Sequence, residues 1–315
     1  MRKTLTILGV IVLLVAIVVG VGQWVNNSNN PPGPGQHQAE RPGEGDTNQP
    51  EDSTNPPGCV AVEVLAAPGT WESRADDDPM NPSANPNSLL LEVTNPLKQQ
   101  FDPSQVKVWT LPYTAQFRNI NAQHEMSYDD SRQEGYSKLA AELTQTHEAC
   151  PGTKFIIVGF SQGAVIGGDM ASDIGNDRGP VPADTIAGVA LIADGRMEAG
   201  RGTLVGDTSI GGTGAEIALQ AVGPLIQGIV PGATMRGPRP DGFNQLNDRV
   251  FNLCAKEDLV CDAPVGIGNA IGRAQDLIAA NAVHAQYATN GTVVPGQTAP
   301  QWIVGWAGDL IRERL

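Results

Sequence analysis

Residues 155–172 read FIIVGFSQGAVIGGDMAS. The apolar run stops at Gly159, a serine stands at position 161, and small residues dominate from Gly163 onward. A continuous apolar run is the mark of a strand buried on both faces of a parallel sheet. The small-residue stretch behind it suits a helix packed close to that strand. Gly159-Phe160-Ser161-Gln162-Gly163 fits G-x-S-x-G, the nucleophile elbow, in which a strained strand-to-helix turn lifts a serine hydroxyl above the sheet edge. Glycine is abundant, at 37 of 315 residues, so the bare pattern is weak. The strand before it and the helix after it carry the reading against an ordinary βα turn.

Serine is a poor nucleophile until a base takes its proton. In this arrangement the partners follow in the order Ser, acid, His. His284 alone lies downstream of Ser161; His37, His124 and His147 come earlier in the chain. The acid is less constrained. Asp194, Glu257, Asp258 and Asp262 are all candidates. Asp258 lies just past an expected strand, Arg249 to Leu253, at the end where sites of such sheets assemble. Cys254 and Cys261 bracket it. For the oxyanion, the backbone N–H of Gln162 is one expected donor. Thr70, in Ala67-Pro68-Gly69-Thr70-Trp71-Glu72 after an early strand, is a candidate for the second.

Working outward, Val60 to Leu65, Val106 to Leu111 and Ile186 to Ile192 also read as strands. Ser131 to His147 carries apolar residues at helical spacing. Trp302, Ile303, Trp306, Leu310 and Ile311 mark a terminal amphipathic helix, with Pro300 in its first turn. Pro96 leaves Leu89 to Gln99 ambiguous. Strands alternating with helices predict an α/β fold with a mostly parallel sheet flanked by helices. Gly195 to Asp241, with an apolar island from Ile217 to Val230, and Asp262 to Val283 read as loops without sheet elements. Either is a lid, a lipid-facing flap or a long surface loop.

The N-terminus has another character. Leu5 to Val25 is almost wholly apolar, long enough for a membrane-spanning helix. Arg2 and Lys3 precede it and no basic residue follows before Arg41. That bias predicts a cytoplasmic N-terminus with the remainder outside; a cleaved signal peptide is the competing expectation. Residues 26–58 hold five acids against one Arg, with many Pro, Gly and Asn. They read as a disordered linker. The expected organisation is therefore an anchor (1–25), a linker (26–58) and a folded domain (59–315). Four cysteines beyond a membrane signal suggest two disulfides. The expected pairs are Cys254–Cys261, a local clip, and Cys59–Cys150. Zinc wants closer pairs or neighbouring histidines. A net charge of −14 argues against nucleic-acid binding.

Together, Cys150 before the strand, "GFSQG", "CAKEDLVC", a late "VHAQYA" and an early strand leading to "PGTWE" resemble the cutinase family of serine esterases. The resemblance spans residues 59–315. It is most specific to the membrane-anchored cutinase-like lipid esterases of mycolic-acid-making actinobacteria, which share "PGTWES", "YTAQF", "MSYDDSR", "GFSQGAVI", "DIGN" and "LIADGR". It implies an α/β-hydrolase fold, Ser161 as nucleophile, Asp258 as acid, His284 as base, Thr70 and Gln162 as oxyanion donors, and both disulfides. It also implies phospholipase A or thioesterase action on envelope lipids. Small cutinases lack the Gly195–Asp241 stretch and the anchor, which argues against a plant polyester as substrate.

The expectation is a monomeric, single-pass membrane esterase that hydrolyses lipid acyl esters through an acyl-serine, with no cofactor or metal. An acyltransferase on the same fold and a catalytically silent envelope-binding module are the rivals. An intact Ser, Asp and His argues against the latter.

Overall fold

The structure, a computed structural model, describes residues 55–119, 121–264 and 283–315. The expected anchor and nearly all of the linker lie outside the described residues, as does 265–282, most of the second loop-like stretch. No helix among the described residues is long and apolar enough to cross a membrane.

Six strands form one sheet: β1 (Val62–Ala67), β2 (Val106–Thr110), β3 (Lys154–Phe160), β4 (Ile186–Ile192), β5 (Thr203–Val205) and β6 (Val250–Leu253). Their order is β2-β1-β3-β4-β6-β5 and every pairing is parallel. Alternation along the central strands feeds two cores. Val64, Ala66, Ile156 and Val158 face one side, where they pack against Val93 and Leu97 of α1 (Leu91–Gln100) and Ile303, Ala307 and Ile311 of α6 (Ala299–Arg312). Leu65, Ala67, Phe155 and Ile157 face the other. There they meet Leu139 and Leu143 of α2 (Tyr128–Ala149) and Ile166 and Met170 of α3 (Gln162–Gly175). Burial on both faces explains why β3 reads as an unbroken apolar run.

The ambiguous stretch is helix α1, with Pro96 inside it. Its buried Val93, Thr94 and Leu97 give tertiary packing enough to override the proline. The terminal helix begins at a capping box in which Thr298 and Gln301 satisfy each other's backbone N–H groups.

One expectation is corrected. The 195–241 stretch does contain a sheet element, the edge strand β5. It has three residues, none of them buried, and is flanked by Gly202 (φ 71°) and Gly206 (φ 88°). So short and half-wet a strand leaves no period-2 signal. The apolar island forms α4 (Ala215–Ala218) and α5 (Gly223–Ile229). Ile226, Val230 and Ala233 bury against Tyr128 in a third, small core beside Phe117 and Met235.

Ions hold the same stretch to the body. Asp169 on α3 meets Arg196 at 2.8 Å and Arg239 at 2.9 Å, and also pairs with Arg236. Arg239 reaches Asp194 at 2.6 Å, and Arg236 reaches Glu216 at 2.9 Å. Burial alone would raise the Asp169 carboxyl; three guanidinium groups hold it down at about 2.

Candidate active site

β1, β3 and β6 all end at one edge of the sheet, and each delivers a loop there. β3 ends in the elbow. Ser161 adopts φ 54° and ψ −119°, a conformation a non-glycine residue takes at a cost of about 1–3 kcal/mol. Its backbone is pinned by the hydrogen bond from Ser161 N to Ile192 O at 2.9 Å. The flanking glycines are steric necessities. A Cβ on Gly159 would lie 2.5 Å from Gly163 O, closer than a carbon and an oxygen can approach.

β6 is followed by the ring closed by Cys254–Cys261. Within it Asp258 is fully buried. Its Oδ2 lies 2.9 Å from His284 Nδ1, and His284 Nε2 lies 3.1 Å from Ser161 Oγ. The three side chains form one hydrogen-bonded line across chain separations of 26 and 123 residues. Phe160 stacks on the His284 ring at 5.2 Å. Burial by itself would lower the imidazole. The charge and hydrogen bond of Asp258, helped by Glu72, outweigh it and raise His284 above its ordinary value.

The other carboxylate candidates have other partners. Asp194 is bound by both Nη atoms of Arg239. Asp262 accepts from Gly212 N and Glu257 N, each at under 3 Å. Glu257 is exposed, at φ 70°. The second expected disulfide, Cys59–Cys150, is also formed. Among the described residues no cluster of His, Cys, Asp and Glu could hold a metal ion.

The loop after β1 lies against the head of α3. The Thr70 hydroxyl donates to Gln162 Oε1 at 3.4 Å, which places Thr70 beside the elbow. Gln162 is the first residue of α3, so its N–H is a first-turn donor with no intrahelical acceptor. That is what an oxyanion requires.

Four site residues escaped sequence reasoning. Glu72 accepts from Gly69 N at 3.1 Å, Leu89 N at 3.0 Å and Ser88 Oγ at 3.1 Å, fastening the loop that carries Thr70. Its burial raises the carboxyl against the pull of those bonds. Trp71, at φ 62°, donates its indole N–H to Glu125. Tyr113 donates its hydroxyl to Pro68 O at 2.7 Å. Tyr287 reaches Asp258 Oδ2 at 2.7 Å. "PGTWE" and "VHAQYA" contain Trp71, Glu72 and Tyr287, but their spacing says nothing of what each side chain touches.

Known proteins resemble the chain at two levels. A protein of Corynebacterium glutamicum named carboxylesterase Culp6 homolog is 56% identical over 312 residues, covering 99% of each chain. A solved acetyl xylan esterase, in an iodinated complex, superposes with a TM-score of 0.50 at 16% identity, over 80% of this chain and 99% of its own. That likeness concerns the fold alone, the α/β-hydrolase architecture. The catalytic core of a Trichoderma reesei acetyl xylan esterase follows at 17% identity and a TM-score of 0.49, over 82% of this chain and all of its own. The cutinase family model matches residues 59–305, most of the chain, and on that match the chain belongs to the cutinase family.

Proposed function

We propose that this chain, a cutinase-type carboxylic-ester hydrolase, is a serine esterase that cleaves lipid acyl esters beside a membrane. The line Ser161–His284–Asp258 carries the reading. In it His284 Nε2 takes the Ser161 proton as Oγ attacks the ester carbonyl. The N–H of Gln162, with Thr70, donates to the carbonyl oxygen as negative charge develops on it; such a donor lowers the barrier by a few kcal/mol. His284 then protonates the leaving alcohol, and water repeats the sequence on the acyl-serine. Asp258 keeps Nδ1 protonated and steadies the imidazolium.

The lipid part of the reading rests on the Leu5–Val25 run, which would tether the domain to a bilayer, and on the resemblance to membrane-anchored lipid esterases. Phospholipase A and thioesterase action are the finer forms of it. Intact-mass analysis after fluorophosphonate treatment is expected to show one adduct on the wild type and none on Ser161→Ala. An adduct persisting on that variant would displace Ser161. Full-length protein in detergent, given nitrophenyl esters of increasing acyl length, is expected to favour long chains. A preference for acetate would remove lipid from the reading.

A further inference from the structure

Asp258 has a second side-chain partner besides His284. Tyr287 is 1% exposed, and its hydroxyl lies 2.7 Å from Asp258 Oδ2, the oxygen that also holds His284 Nδ1. The same phenol oxygen accepts from Ala255 N at 2.9 Å. That backbone donor occupies a lone pair, and the phenol proton goes to the carboxylate rather than to the Cys261 disulfide sulfur at 3.5 Å, a far weaker acceptor. Asp258 Oδ1 is held separately by Val260 N at 3.0 Å. The Tyr287 ring lies edge-on to Phe160 and His284, at 5.8 and 6.2 Å. One side chain thus ties together the disulfide-closed turn, the acid inside it and the histidine three residues earlier in the chain.

We propose that Tyr287 is a positioning residue of this esterase: its hydroxyl fixes the Asp258 carboxylate against His284 and tempers the charge that the imidazole feels. The proposal rests on the serine-esterase reading above. A carboxylate turns freely about its last bond, where rotamer wells are broad. Two donors on Oδ2 and one on Oδ1 remove that freedom. The phenol stays protonated throughout the working range, because burial and then the Asp258 charge push its proton affinity far up. Among the described residues, the other charged groups acting on this pair are Asp262, near Tyr287, and Glu72, near His284. Both are acidic, so neither can replace the donor.

Removing the phenol proton concentrates negative charge on Oδ2. The imidazolium is then stabilised further, and the acid limb of the kcat/KM profile moves to higher pH. Alignment also loosens, with kcat falling about tenfold or more, while KM holds. The test uses full-length Tyr287→Phe, which keeps the ring, and protein with 3-fluorotyrosine placed at position 287, a stronger donor of nearly the same shape. Thermal melting is recorded for each. The acid limb is expected to rise in the Phe variant and to fall in the fluorotyrosine protein. If the Phe variant does not fold, the fluorotyrosine shift decides. An acid limb at the wild-type pH in every variant that folds overturns the proposal, whatever happens to the melting temperature. Fluorophosphonate labelling of wild-type Ser161, run alongside, separates this failure from failure of the esterase reading: without that adduct the reading itself falls.

Discussion

Gly163 and Ala67 meet backbone to backbone: a Cβ on Gly163 would stand 1.9 Å from the carbonyl oxygen of Ala67. Strand β1 and helix α3 can approach this closely because residue 163 has no side chain. The approach sets the distance between the loop carrying Thr70 and the elbow carrying Ser161.

Gly163→Ala is therefore expected to push β1 and α3 apart. Overpacking of this kind costs about 1–3 kcal/mol, and a displacement near 1 Å at the site lowers kcat about 10²-fold. Gly305→Ala is the control. It sits inside α6 with open space around it, and is expected to stabilise by about 1 kcal/mol. Denaturant titration and esterase assays check both. Equal behaviour of the two variants would refute the contact argument.

Asp258→Asn is expected to lower kcat by about 10⁴ at neutral pH, because the imidazole loses the partner that selects its tautomer. The pH profile carries an independent sign. His284 is raised in the folded protein, so the wild-type acid limb lies above the ordinary histidine value of about 6.5. Loss of the Asp258 charge moves it down, opposite to the shift expected of Tyr287→Phe. The raised histidine also stabilises the fold at pH values below its unfolded pKa, and that contribution fades as pH rises through the folded pKa. Activity and this stability term thus run in opposite directions. An equal loss from Asp262→Asn or Glu257→Gln would transfer the role of acid.

Asp169→Ala leaves three guanidinium groups around an empty position, two of them, Arg196 and Arg239, under 10% exposed. Breaking a buried ion cluster from one side costs about 3–5 kcal/mol. Proteolytic nicking within 195–241 is expected to accelerate, and the midpoint of urea unfolding at pH 7 to fall. Asp169 itself, held at about 2, supplies its stability above the ordinary aspartate range and loses it as pH falls toward 2. Asp241→Asn removes a charge whose partner Arg178 lies 3.6 Å away on the open surface, and keeps a residue that tolerates the φ of 62° at this position. It is expected to change stability by under about 1 kcal/mol. Similar effects from both variants would contradict a buried clamp.

The sequence by itself settled what local periodicity and elimination can reach. A strand buried on both faces must be apolar throughout, so β3 and β4 were legible, and with them the parallel sheet. The elbow was legible because tight turns demand glycine at set offsets. His284 followed because it is the only histidine after Ser161.

Tertiary structure decided which carboxylate faces the imidazole. Asp194, Glu257, Asp258 and Asp262 are chemically alike; only the folded chain gives Asp194 to Arg239, Asp262 to a turn, Glu257 to solvent and Asp258 to His284. It likewise decided that β5 closes the sheet edge, that the apolar island packs against Tyr128, and that Tyr287 grips the acid. These contacts join residues far apart in the chain, or depend on which way one side chain points. Periodicity reports the face a residue occupies, not the partner that another segment brings to it.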